Sequence, residues 1–197
     1  KEMMFGYQDK FNYFQCSRCD CLQIRDFPAN MDKYYSDQYY SYQSNFQHRN
    51  KFKQFLMDAR NRYAVSGKDL LGRILYKKYP TGSFKSLALL KLNKQCKILD
   101  VGCGSGELLY SLNKMGFSRL LGADPFNQTD IDYANGLKIL KQEIADVRGL
   151  WDVIMFHHSL EHIADQLGTL HHVARLLSSQ GRCLIRIPLV SSYAWQH

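Results

Sequence analysis

The run Lys97-Ile98-Leu99-Asp100-Val101-Gly102-Cys103-Gly104-Ser105-Gly106-Glu107 constrains this chain more than any other stretch. An apolar, strand-like segment closes on an acidic residue, three glycines follow at alternate positions, and a helical pattern then begins. Glycine has no Cβ, so the backbone can turn sharply there and lie within van der Waals reach of another molecule. A strand that turns through glycines into a helix is the opening half of a parallel β-α-β unit, whose turn receives nucleotide-like ligands in open α/β sheets. The spacing is G-x-G-x-G, whereas a dinucleotide fingerprint reads G-x-G-x-x-G.

The rest of the second half alternates in the same way. Lys97 to Val101 reads as a strand and Glu107 to Met115 as its helix, with Leu108, Leu109 and Leu112 on one face and Gly116 ending it. Arg119 to Ala123 reads as a second strand, Ile131 to Asn135 as a short helix and Leu137 to Leu140 as a third strand. Trp151 to Phe156 is a buried central strand by its apolar, β-branched content. Leu167, Leu170, Val173, Ala174 and Leu177 recur at helical spacing over Asp165 to Leu177, Gly181 is expected to stop that helix, and Cys183 to Ile187 reads as a fifth strand. Such alternation predicts an α/β fold with a parallel sheet covered on both faces. Upstream, Phe46 to Tyr79 is amphipathic and helical in preference, and Lys85 to Leu92 is expected to add a short helix.

Charge divides the chain near residue 95. The first 95 residues carry 17 basic and 8 acidic side chains, a balance of +9, and the remainder carries −1. Ten of the 13 tyrosines lie in the first half as well. A basic, tyrosine-rich segment suits either a solvated helical surface or contact with nucleic acid, and the first is favoured. No stretch approaches the roughly 20 apolar residues of a membrane span. No signal peptide is visible between Lys1 and Gln15. A cytoplasmic protein without a membrane partner is therefore expected.

The glycine run resembles the nucleoside-binding loop of class I S-adenosylmethionine-dependent methyltransferases, of the group with an N-terminal zinc-ribbon-like segment. Two further segments resemble the same family. Trp151 to His162 is similar to its fourth-strand segment, in which an aspartate opens the strand and Leu-Glu-His follows it. Leu176 to Pro188 is similar to its helix-glycine-strand element ending in Ile-Pro. The resemblance implies a Rossmann-like, doubly wound, mainly parallel sheet with helices on both faces, preceded by a helical N-terminal region. It divides the chain into a partial zinc-ribbon-like, Tyr-rich segment (1–45), a helical cap (46–95) and a donor-binding domain (96–197). The family usually has seven strands, and the last two are not encoded here, so that domain is expected to be incomplete at its C-terminal end.

The resemblance also names a site. Gly102, Cys103, Gly104 and Gly106 are expected against the amino-acid and ribose portions of S-adenosylmethionine, and Asp100 is expected to orient that loop or meet the donor's ammonium. Asp124, 24 positions after Asp100 at the end of the next strand, is expected to accept hydrogen bonds from the ribose hydroxyls. Pro125 and Phe126 would pack on the adenine, Glu143 or Asp146 would face its amino group beside Ile144, and His157 would border the donor. The catalytic group is not fixed; His158 and His162 are candidate bases for an acceptor that must lose a proton. Cys16 and Cys19 form a C-x-x-C pair, half of a tetrahedral zinc site, with Cys21 close by. With one half present, zinc is not expected to be held.

The function so implied is methyl transfer to a small-molecule acceptor, a sugar among the options. An RNA-directed methyltransferase or nucleic-acid-binding module would exploit the basic half. An NAD(P)-dependent oxidoreductase would use a similar sheet, but the glycine spacing counts against it. Oligomeric state is not written in the sequence.

Overall fold

The computed structural model describes residues 7–34 and 50–189. They fall into two compact units, one holding 7–34 and 188–189 and the other 50–187. The first unit contains a hairpin of β1 (Tyr13–Gln15) and β2 (Leu22–Ile24) and a 3-10 turn over Met31–Tyr34. The Asp9 carboxylate accepts from Lys33 Nζ and from the Tyr34 hydroxyl, each at 2.6 Å, and so ties the turn to the chain ahead of the hairpin.

The second unit opens with α1 (Lys51–Ser66), α2 (Leu70–Lys78) and α3 (Gly82–Ala88). The Asn50 side chain caps α1 by accepting from Phe52 N at 2.9 Å, and Asp69 caps α2 by accepting from Gly72 N at 2.7 Å. Gly67, left-handed at φ 72°, ends α1, so the long amphipathic stretch folds as two helices. They pack closely because residue 72 has no side chain: a Cβ there would overlap the Ala59 carbonyl oxygen and lie 2.8 Å from Tyr63 Cβ. The short helix α3 starts at Gly82, after Pro80 and Thr81, three residues ahead of the expected Lys85.

Then comes a six-stranded sheet in the order β5-β6-β4-β3-β7-β8. Its strands are β3 (Ile98–Val101), β4 (Leu120–Ala123), β5 (Ile131–Asp132), β6 (Lys138–Leu140), β7 (Trp151–His157) and β8 (Leu177–Arg186). The first strand of the α/β half, β3, lies parallel between β4 and β7, with Ile98 opposite both Leu120 and Val153. Because β-strand side chains alternate between faces, the two cores follow directly from the sequence. Ile98, Val153 and Met155 join Leu109 and Leu112 of α4 (Glu107–Lys114) and Phe84 and Leu87 of α3 on one face. Leu99, Val101, Ile154 and Phe156 join Val173 and Leu176 of α5 (Gln166–Leu176) on the other. Each fully buried leucine or phenylalanine contributes about 1.5–3 kcal/mol. The sheet is thus Rossmann-like, mainly parallel and helix-covered on both faces.

Two elements differ from expectation. Ile131 to Asn135 is not a helix: β5 runs antiparallel to β6, with Ile131 opposite Ile139. The Asn135-Gly136 pair closes the connecting turn, with Gly136 N donating to Tyr133 O at 2.8 Å and Gly136 left-handed at φ 82°. This is the dipeptide that favours hairpins, and it overrides the weak helical preference. Nor does Gly181 stop a helix: α5 ends at Leu176, and Gly181 lies inside β8. Between the Trp151–Leu177 and Val153–Arg182 pairs, β8 bulges by several residues. At the bulge a Cβ on Gly181 would sit 2.8 Å from Trp151 O, so glycine is needed for close approach rather than helix termination.

Candidate active site

The carboxyl ends of β3, β4 and β7 meet where the chain reverses its direction of strand addition, and a doubly wound sheet binds its ligand at such a point. Residues 102–106 leave β3 there. Gly102, Gly104 and Gly106 are all left-handed, at φ 71°, 56° and 78°. Two of them answer to internal neighbours as well as to any ligand. A Cβ on Gly102 would overlap Ser159 Cβ and lie 3.0 Å from its Oγ, and one on Gly106 would come within 2.9 Å of Ile139 Cγ1.

Four side chains from three connections, two of them in the loop after β4, clamp this loop. Gly104 N donates to Asp124 Oδ2 at 2.7 Å. Asn127 Nδ2 donates to Gly104 O at 2.9 Å, and the Tyr133 hydroxyl donates to Ser105 O at 2.6 Å. Ser159 Oγ donates to Val101 O at 2.6 Å. A peptide rich in glycine is entropically costly to hold, and these bonds fix its main-chain groups in place. The sequence names Asp124 as a ribose partner, not as a clamp, and does not single out the other three. Asn127, three residues past Asp124, carried a signal in its type and position; Tyr133 lay in the segment taken for a helix.

The two carboxylates of the site differ sharply in environment. Asp124, 4% exposed, is engaged by amides on both oxygens, since Phe126 N also donates to its Oδ1 at 3.0 Å. Asp100, 2% exposed, has its Oδ1 buried with no hydrogen-bond partner. Burial, and secondarily the nearby Asp124 charge, push the Asp100 carboxyl well above the usual carboxylate range. Burial and the same two carboxylates raise the Cys103 thiol, which packs against Gly122, where a Cβ would lie 2.5 Å from its Sγ. Cys103 is therefore a neutral packing residue.

Pro125 and Phe126 are half-buried just beyond Asp124. Glu143 is exposed at the start of a 3-10 turn over Ile144–Asp146, Asp146 is exposed, and Ile144 is buried in the second core. His157 ends β7, and both of its ring nitrogens are buried without partners. Burial first, then Arg186 and His158, lower its pKa to about 4, so the imidazole is neutral. His158 is exposed and left-handed at φ 58°, an uncommon conformation for a non-glycine residue. Its Nδ1 lies 3.6 Å from Glu161 Oε1, and His162 Nε2 lies 4.0 Å from the same oxygen. Glu161 thus stands between the two candidate bases, with its Oε2 buried and unpartnered.

In the first unit, Cys16 to Cys21 form the turn of the β1–β2 hairpin, with Cys16 N donating to Cys21 O at 2.9 Å and Asp20 N to Cys16 O at 2.8 Å. Main-chain N–H groups of Arg18 and then Cys19 hold the Cys16 thiol below its ordinary range. Among the described residues no group of three or more His, Cys, Asp or Glu could hold a metal ion. No helix among them is long and apolar enough to cross a membrane.

A glycine loop at the carboxyl end of the central strand of a parallel sheet, with acidic residues on that strand and at the end of its neighbour, defines a doubly wound α/β protein with its candidate site at the strand switch point. The chain belongs to the methyltransferase-domain family, whose model matches residues 46–197. Among solved structures it is similar to the plantazolicin methyltransferase BpumL in complex with SAH, at 19% identity over 68% of this chain and 60% of that one, with a TM-score of 0.41. It is also similar to magnesium protoporphyrin IX methyltransferase (ChlM) from Synechocystis PCC 6803 with bound SAM, at 19% identity over 62% of this chain and 72% of that one, with a TM-score of 0.40. The match thus spans three fifths of the length of BpumL. No curated protein sequence matches the chain.

Proposed function

We propose that this chain transfers a methyl group from S-adenosylmethionine to a small-molecule acceptor, holding the donor against residues 102–106. The observation that carries this reading is Asp100, whose Oδ1 is buried without a hydrogen-bond partner beside a main-chain loop clamped by Asp124, Asn127, Tyr133 and Ser159. A buried carboxyl oxygen without a partner is costly, and a cationic ligand supplies what it lacks. The donor's ammonium is such a ligand, so the residues present fit it.

Bound there, S-adenosylmethionine would supply an electrophilic methyl carbon for the acceptor's lone pair, with a neutral thioether sulfur as the leaving group that keeps the bonding pair. The chain's own work is positioning and exclusion of water, worth several kcal/mol in order of magnitude. Asp124 holds the loop through Gly104 and accepts from the ribose hydroxyls. Pro125 and Phe126 pack on the adenine, with Ile144 and Glu143 at its far edge. His158 or His162, each beside Glu161, takes the acceptor's proton where one must leave. Residues 50–95, the described part of the expected cap, close the crevice; residues 46–49 lie outside the described residues.

Thermal unfolding with added ligand tests the reading. SAH is expected to raise the unfolding midpoint while NAD and NADP leave it unchanged. A rise with a dinucleotide and none with SAH would transfer the site to hydride chemistry.

A further inference from the structure

Beside the glycine loop, on the side away from Asp124, the ends of β7 and β8 bring together His157, expected from the sequence to border the donor, and Arg186, to which the donor reading gives no part. His157 is opposite Arg186 in the strand register, and His158 N donates to Arg186 O at 2.8 Å. The guanidinium is half-buried, and among the described residues its one side-chain bond is a long one, Nη1 to Ser83 Oγ at 3.3 Å. No carboxylate among the described residues lies within ion-pair distance of it. The neighbouring imidazole leaves both ring nitrogens buried and unsatisfied. A half-buried guanidinium without a counter-charge and a neutral imidazole without a hydrogen bond are each unfavourable. One oxyanion between them answers both, because guanidinium presents a planar fork of donors that matches carboxylate or phosphate.

We propose that Arg186 and His157 bind an anionic group, carboxylate or phosphate, carried by the methyl acceptor. Its placement suits an acceptor rather than the donor. Ser159, two residues past His157, donates to Val101 O at the start of the loop, so β7 borders the loop and β8 lies one strand further out. Two strand spacings are about 10 Å, which leaves room for a small molecule with its anion on β8 and its nucleophile facing the loop. The word acceptor rests on the methyltransferase reading; the anion site does not.

Imidazole NMR signals of the 15N-labelled chain test this, with acetate and inorganic phosphate titrated separately at constant ionic strength, with and without SAH. The charged and titratable groups around the His157 ring are Arg186 on β8 and His158 beside it in the chain. The expected result is a saturable shift of the His157 signal, with its titration midpoint rising from about 4 as the anion offsets the Arg186 charge. Arg186→Gln should weaken the anion at least tenfold and leave SAH affinity by calorimetry unchanged, while Arg186→Lys retains part of the response. The relative strength of acetate and phosphate assigns the anion. No saturable shift, or an equal one in Arg186→Gln, overturns the site. Competition between either anion and SAH also overturns it, because Arg186 would then hold the donor's own carboxylate. An anion response in a chain that binds no SAH would defeat the assignment to an acceptor through the donor reading, and is recognisable as such.

Discussion

Asp124→Asn and Asp100→Asn are nearly isosteric changes of adjacent buried carboxylates, and the structure predicts opposite outcomes. Both oxygens of Asp124 accept from main-chain N–H groups, of Gly104 at 2.7 Å and Phe126 at 3.0 Å. An asparagine can serve one of them and must turn its own NH2 toward the other. A charge-assisted bond is lost and a buried donor faces a donor, each worth about 1.5–3 kcal/mol. Relaxation of the loop recovers part of this, so Asp124→Asn should lower stability by about 2–3 kcal/mol. With a urea slope of about 1–3 kcal/mol per molar, the unfolding midpoint falls by roughly 1 M. Asp100 behaves differently, because its native carboxyl retains a proton that the unfolded chain has released above its ordinary value of 3.8. Wild-type stability therefore falls as pH rises from 3.8 through the raised native value. Asp100→Asn removes that slope and should be at least as stable as wild type at pH 8, although SAH binding weakens. Urea titrations of both variants at pH 6 and pH 8 measure this. If Asp100→Asn at pH 8 is the more damaged of the two, the account of the site's electrostatics is wrong.

Other substitutions separate backbone strain from crowding. Gly136→Ala places a Cβ in open space at φ 82°, so strain alone acts, at about 1 kcal/mol. Gly102→Ala adds overlap with Ser159 to similar strain and should cost about 3 kcal/mol; thermal unfolding of the pair gives the difference. Gly72→Ala forces α2 away from the Ala59 carbonyl and should cost about 2 kcal/mol while SAH affinity stays within twofold, by calorimetry. Tyr133→Phe removes the donor to Ser105 O and should cost about 1 kcal/mol, with amide exchange faster in residues 104–106.

What the sequence made legible followed from local pattern. Ile98 and Leu99, or Val153 and Ile154, alternate between the two cores as a half-turn periodicity requires. The glycines of 102–106 and the acidic ends of β3 and β4 marked the crevice because backbone geometry and strand ends depend on nearby residues. The clamps were less legible because their partners are far away in sequence: Tyr133 reaches Ser105 across 28 residues and Ser159 reaches Val101 across 58. The β5–β6 hairpin was missed because Ile131 to Ala134 carries little periodicity, and the informative dipeptide, Asn135-Gly136, follows it. Gly181 misled for a related reason, since a glycine after a helix and a glycine at a bulge look alike until the partner strand is in place.

The central claim is that S-adenosylmethionine sits against the clamped main chain of residues 102–106. Calorimetric titration of SAH into wild type and Gly104→Val, with thermal unfolding confirming that the variant is folded, tests it most directly. One molecule bound per wild-type chain, and none by the folded variant, is the predicted result. Equal affinity in both, or no heat in wild type at millimolar SAH, would contradict it.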